Sequence, residues 1–244
     1  MRVPVCAFVL AACVSAAAEE EAPPPLVSGE MGASWLANSG NTNNSTVGTW
    51  GQLAIQPGPY KAIAQGGFIQ STVEQATSSR RAYAGLRGER KLPASLSAEV
   101  RGEYYEDRPA GTRKQYAVSA GGLCRILAND TRTLSVSVSL THTWERRVLP
   151  PDRDFLGAQT GLEFSLKVND IVALTHESSY VRDFSDATNW RGKASTSLQA
   201  SLNRHFAFKV AHQLYRNKPD PGKHAVDMGI VASLVASWPA KPKP

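Results

Sequence analysis

The sequence predicts an all-β fold, a transmembrane antiparallel up-and-down β-barrel of about twelve strands. Three observations point there. The chain opens on a short apolar leader. Its body consists of segments of roughly ten residues in which apolar and polar side chains alternate. The connections between those segments alternate short and long, as barrels with tight periplasmic turns and larger extracellular loops require. The mean hydropathy of −0.28 fits strands with one polar face. Beyond the extreme N-terminus there is no apolar run of about 18 residues, which argues against helical spans. The net charge is +6, with Lys and Arg interleaved among Asp and Glu. No basic block stands out, so nucleic acid is not an expected partner.

Residues 1–18 read as a signal peptide. Arg2 supplies the positive start, an apolar stretch follows, and Ala16-Ala17-Ala18 offers a small-residue cleavage site before Glu19. A second reading stays open, because Leu10-Ala11-Ala12-Cys13 resembles a lipobox in which Cys13 would be lipidated. Cys6 and Cys13 both lie in the leader, which leaves Cys124 to be read as a lone small apolar side chain. Residues 19–28 are acidic and then proline-rich, a composition that buries no core and predicts an extended linker. Residues 29–238 are expected to form the barrel, and residues 239–244 a Pro/Lys tail.

The clearest strand covers residues 133–145. Leu134, Val136, Val138, Leu140, His142 and Trp144 share one face, and Ser and Thr residues with Glu145 share the other. The same two faces recur over 96–105, 156–168, 190–203 and 227–238. The apolar face is rich in Ala, Val, Leu and Gly, and the polar face carries charges of both signs. Lipid accepts such an apolar face without close fitting, whereas a soluble sandwich would pack bulkier residues inward. In the second and third segments, Trp50 and Phe68 do not separate the faces cleanly.

Short connections are expected at 56–59, 91–93, 127–130, 167–170 and 203–205. Long polar ones are expected at 39–44, 74–80, 106–114, 146–154, 183–188 and 217–224. Five short and six long connections give an even strand number and place both termini on the periplasmic side. Trp35, Tyr104, Trp144, Tyr180 and Trp190 then fall near the long-loop ends, and Tyr60, Phe206, Phe208 and Trp238 near the short turns, as interfacial girdles would.

The stretch Leu36-Ala37-Asn38-Ser39-Gly40-Asn41-Thr42 resembles the first-hairpin motif of the salt-induced outer-membrane protein family, a bacterial domain of unknown function (number 481). Further stretches follow the same family's pattern: Gly102-Glu103-Tyr104-Tyr105-Glu106-Asp107-Arg108, the run from Gly121 through Asn129-Asp130 to Trp144-Glu145-Arg146, and Tyr215-Arg216-Asn217-Lys218-Pro219-Asp220. The resemblance implies a mid-sized barrel in the cell outer membrane of a Gram-negative bacterium. It implies outer-membrane lipid and the barrel-assembly machinery as partners, a monomeric state, and a stress-related envelope role suggested by the family's name alone. Such barrels usually end on an aromatic residue, but here Trp238 is followed by Pro239-Ala240-Lys241-Pro242-Lys243-Pro244.

Some twelve-stranded barrels are phospholipases with His, Ser and Asn on the outer wall. His142, His176 and Ser178 are outward candidates here, but the serine motif of those enzymes is absent, so no enzyme activity is expected. His205, His212 and His224 show no ligand spacing, and neither metal nor cofactor is expected. The expected lumen face is the more informative one. Arg87, Glu89, Glu99, Arg101, Glu103, Arg125, Glu163, Lys167, Glu177, Arg191 and Lys193 form a candidate charge network there. Two readings remain, an ion-conducting polar pore and a narrow lumen shut by salt bridges, with Glu99 and Arg101 pairing across strands. Twelve strands lie between the side-chain-filled eight and the open sixteen, and the many long charged side chains favour the narrow lumen. A surface-loop binding protein is a further alternative, with Pro150-Pro151 in one loop but no feature that names a ligand.

Overall fold

A computed structural model describes residues 26–38, 44–73, 76–108, 111–217 and 225–238. The predicted leader, most of the linker and the tail lie outside the described residues. Twelve strands follow one another: β1 (Val27–Asn38), β2 (Asn44–Ile55), β3 (Tyr60–Val73), β4 (Ala76–Lys91), β5 (Leu96–Asp107), β6 (Thr112–Ala128), β7 (Arg132–Arg147), β8 (Arg153–Lys167), β9 (Val172–Asp183), β10 (Trp190–Ser201), β11 (Phe206–Arg216) and β12 (Val226–Trp238). Each pairs antiparallel with its sequence neighbours, and β1 pairs with β12, so the sheet closes into an up-and-down barrel with no free edge. The linker boundary shifts slightly: β1 begins at Val27, which pairs with Ile55.

The period of two places the faces. From β3 to β12, apart from the bulged ends of β4 and β6, odd-numbered side chains point inward; in β1 and β2 the even-numbered ones do. Leu86, Val100, Val118, Leu140, Leu198 and Ile230 are exposed on the outside. Ser119, Ser139, Thr141, Thr143, Ser197 and Ser233 are buried inside. Hydroxyls hidden and leucines displayed is the arrangement a hydrocarbon solvent selects. The two residues that alternation left unsorted separate here. Trp50 points into the lumen, where Lys209 lies over its ring, and Phe68 points outward beneath Arg80.

The short turns repeat one device. The Oδ1 atoms of Asn129, Asn169 and Asn203 each accept backbone N–H groups two and three residues on, at Thr131/Arg132, Ile171/Val172 and His205/Phe206. An Asn side chain thereby replaces backbone partners at three successive tight turns. The opposite end departs from expectation. Residues 76–80, expected within a long loop, continue β4, with Ser71↔Ser79 and Thr72↔Thr77 in register with β3. Arg146, Arg147, Arg153 and Asp154 likewise belong to strands. β4, β6 and β7 run to 16, 17 and 16 residues, against the roughly 9–11 a membrane crossing needs. Polar sequence marks where hydrocarbon ends; it does not stop the ladder, because the backbone bonds of a strand persist in water.

The closing seam is the shortest ladder, Gly29↔Trp238 to Ala33↔Leu234. The Trp238 indole lies over Gly29 so closely that any Cβ there would collide with the ring. Cys124, read from the sequence as a small apolar side chain, is buried on β6, with 3% of its surface exposed.

Candidate functional site

The alternation that puts charge on the inner face also puts it on strands that curve towards one another. At the level nearer the short turns, six of the predicted residues form one cluster. Arg87 Nε lies 2.8 Å from Glu89 and 2.7 Å from Glu99. Arg101 donates to both oxygens of Glu99, at 2.7 and 2.9 Å. Arg125 reaches Glu89 at 3.4 Å. Glu163 accepts from Arg87 and lies 3.6 Å from Arg101. The expected pairing across strands of Glu99 with Arg101 is corrected: both stand on β5, two residues apart on one face, and the guanidinium folds back along its own strand. The cross-strand partner of Glu99 is Arg87. Three guanidiniums against three carboxylates leave the cluster neutral (3 − 3 = 0).

Glu163 makes the cluster more than a wall feature. β8 is four strands away from β4, about 19 Å round the wall, so its link to Arg87 is a chord through the lumen. Glu163 is also the accessible member: its side chain is 41% exposed, against 2% for Glu99.

A second level lies nearer the opposite mouth. Tyr105 on β5 and Tyr215 on β11 stack with ring centroids 6.4 Å apart. Five strands lie between them in either direction, so these rings meet across the full lumen. Arg81 holds the stack: its Nε donates to Asp107 at 2.8 Å, the Tyr105 hydroxyl donates to the same carboxylate at 3.0 Å, and the guanidinium sits 4.4 Å over the Tyr215 ring. The ammonium of Lys193 stands 5.2 Å over Tyr105. Beside this bridge, Arg191 donates to Glu145 and Gln115 at 2.5 Å each and lies 4.8 Å over Phe155, while Thr112 donates to Glu145 at 3.1 Å. Arg191 and Lys193 therefore serve this level rather than the Glu99 cluster.

Between the levels is a cavity of about 290 Å³. Glu103, Glu177, Lys193, Lys209, Gln52 and Tyr83 are among its lining residues. Lys167 is not in the lumen network: it pairs with Asp170 in the β8–β9 turn at 2.9 Å, largely exposed. The parity of the strand was right, but the residue sits at its end. Tyr105, Tyr215, Arg81, Asp107 and Glu145 were missed as site residues. Alternation placed Tyr105 and Glu145 on polar faces; only the closure of the barrel says what stands opposite. Among the described residues, no group of three His, Cys, Asp or Glu is arranged to hold a metal ion.

The outward histidines have local partners. His142 shares a 2.5 Å hydrogen bond with Asp154 and stacks on Trp144 at 4.3 Å. His176 Nδ1 bonds the Thr196 hydroxyl at 2.8 Å.

The family model described as protein of unknown function, DUF481, matches residues 30–238, all of the barrel but the first three residues of β1. The chain belongs to this family. Its architecture has solved counterparts. The NanC porin structure superposes with a TM-score of 0.53 at 7% identity, covering 86% of this chain and 98% of that one. The translocator domain of the autotransporter NalP from Neisseria meningitidis gives 0.43 at 13% identity, covering 87% of each chain. The anion-selective porin from Comamonas acidovorans gives 0.41 at 10% identity, covering 87% of this chain and 98% of that one. At such identities the first of these shows the barrel fold and nothing about a solute. No curated protein matches the sequence. This member of the family is thus an outer-membrane-type barrel whose lumen is crossed by side chains at two levels.

Proposed function

We propose that the protein is a narrow outer-membrane channel for small polar solutes, closed at rest by its own lumen side chains. One observation carries this reading: the Tyr105–Tyr215 stack spans the lumen, above a polar cavity large enough for a small solute. Its side chains, unlike a core, are held by ion pairs and ring contacts that can part without breaking the β-ladder. The exposed arm of Glu163 supports an envelope role tied to ionic strength. Screening shortens from about 8 Å at physiological salt to about 3 Å at 1 M, so the accessible Glu163 links weaken before the buried Glu99 ones.

The rest of the reading follows the sequence. The first 18 residues direct export and are removed, the barrel is inserted as a monomer by the assembly machinery, and it lies in the outer membrane without catalysing a reaction. Planar-bilayer recording of the purified protein tests the channel. The wild type is expected to show rare, small openings, and Tyr105→Ala frequent and larger ones. A wild type that is permanently open, or a variant that conducts no more than wild type, rejects the closed-channel reading.

A further inference from the structure

The outer wall carries a group of cations that the lumen does not use. At the end opposite the short turns, Arg80 on β4, Arg108 just past β5, Arg113 and Lys114 on β6, and Arg146 on β7 are all exposed. Four neighbouring strand ends thus present five cations. The carboxylates among them are Glu106, Asp152 and, one row lower, Asp154, so the face keeps a surplus of two positive charges (5 − 3 = 2). Those carboxylates are already engaged: Glu106 by Tyr104 and Arg108, Asp152 by Arg146 and the backbone N–H of Arg147, and Asp154 by His142.

The register makes the surplus local. Lys114 and Arg146 are direct cross-strand partners, and both point outward. Like charges directly opposite one another destabilise a sheet, and Asp152, paired with Arg146 at 2.6 Å, offsets only one of the two. The bulge between Thr112 and Lys114 turns a third cation, Arg113, out at the same place. No ion-pair partner of Lys114 occurs among the described residues.

The depth of this face is set by rings. Tyr104, Tyr116 and Trp144 form one cross-strand row, with Tyr104 and Tyr116 5.3 Å apart. Such a row marks the boundary between hydrocarbon and headgroups. Lys114 and Arg146 lie two residues further out, about 7 Å along the strand, at the level where lipid phosphates sit. From β4 to β7 the face spans three strand spacings, about 14 Å, wide enough for two phosphates of one headgroup.

We propose that the outward face of β4 to β7 is a binding site for a phosphorylated glycolipid of the outer leaflet. Arg113, Lys114 and Arg146 share one phosphate, and Arg80 and Arg108 approach the second. The proposal rests on the outer-membrane reading, and its test separates the two. The full-length protein in detergent micelles is titrated with bisphosphorylated lipid A and followed by native mass spectrometry. The same titration is run with the dephosphorylated lipid, and with inorganic phosphate added in excess.

The wild type is expected to retain the bisphosphorylated lipid and not the dephosphorylated one. The pair K114Q/R146Q should weaken retention roughly 10- to 30-fold, the loss expected for two cations at a membrane surface. Arg132→Gln, exposed at the other end of the wall, should leave it unchanged. Equal retention by wild type and K114Q/R146Q overturns the site, and so does full displacement by inorganic phosphate, which would mark a free-anion site. Insertion into lipid vesicles as a strand-rich species is measured on the same preparations. Wild-type protein that fails to insert overturns the barrel reading itself, a result distinct from an inserted barrel that binds no lipid.

Discussion

The stacked rings of Tyr105 and Tyr215, 6.4 Å apart, join β5 to β11 across the barrel, although 109 residues of chain and five strands of wall lie between them. A contact of this reach acts on the lumen and hardly on the sheet, because neither ring takes part in the ladder hydrogen bonds. Truncating either ring should therefore open the upper level while leaving the fold in place. Tyr215→Ala is expected to raise single-channel conductance as Tyr105→Ala does, and the double variant to add little more. Additive increases in the double variant would show that the two rings do not form one barrier.

Glu163 separates gating from stability. Glu163→Gln removes the chord to Arg87 and Arg101 but leaves both guanidiniums paired with Glu99. Its expected effect is a larger conductance at low salt and a weaker dependence of channel opening on salt, since the screened link is gone. Channel recordings between low and high KCl read this directly, and an unchanged salt profile would count against the role of Glu163.

Glu99→Gln should behave differently. Glu99 is buried between Arg87 and Arg101, and removing its charge leaves two guanidiniums with reduced compensation. Loss of one member of a buried ion pair costs about 3–5 kcal/mol, discounted here because Arg87 keeps Glu89 and Glu163. A fall of about 2 kcal/mol in unfolding free energy is expected by urea titration of the refolded barrel.

The closing seam depends on a missing side chain. Gly29→Val would drive a branched Cβ into the Trp238 indole on the shortest ladder of the barrel. The variant should lose the heat-resistant folded band on gels at a lower temperature than wild type. Adding Trp238→Ala should recover part of the loss, because the two changes address one collision.

One turn is strained and can be relieved. Ala94 and Ser95, between β4 and β5, have φ of 59° and 61°, a region where a side chain costs about 1–2 kcal/mol. Ala94→Gly should stabilise the barrel by about 1 kcal/mol, visible as a raised midpoint in the same urea titration.

Acid should loosen one loop. The Arg147 backbone N–H and the Arg146 guanidinium hold the Asp152 carboxyl below its usual range. A depressed carboxyl pKa stabilises the native loop above the unfolded value, near 4, and that contribution is lost as pH falls through the folded value. Amide exchange at Arg147 should accelerate below about pH 4 once intrinsic rates are corrected, and Asp152→Asn should show the fast rate already at neutral pH.

Alternation determined the fold class and the faces of 96–105, 133–145 and 156–168, and the order of short and long connections gave the strand number, because a barrel in lipid has only two environments and a period of two sorts them. It sorted Trp50 and Phe68 poorly, since an aromatic ring suits both a lumen and a lipid face. It read the polar 76–80 stretch as loop because polarity reports the solvent around a strand and is silent on whether the ladder continues. The lumen charges were legible as a set: Arg87, Glu89, Glu99, Arg101, Arg125 and Glu163 do converge. Which of them meet was decided by closure alone. Strand neighbours follow from chain order, but Tyr105 opposite Tyr215 and Glu163 opposite Arg87 follow from the curvature that brings distant strands face to face. No periodicity in a linear sequence encodes such a chord, because the residues at its two ends share neither a strand nor a hydrogen-bonded neighbour.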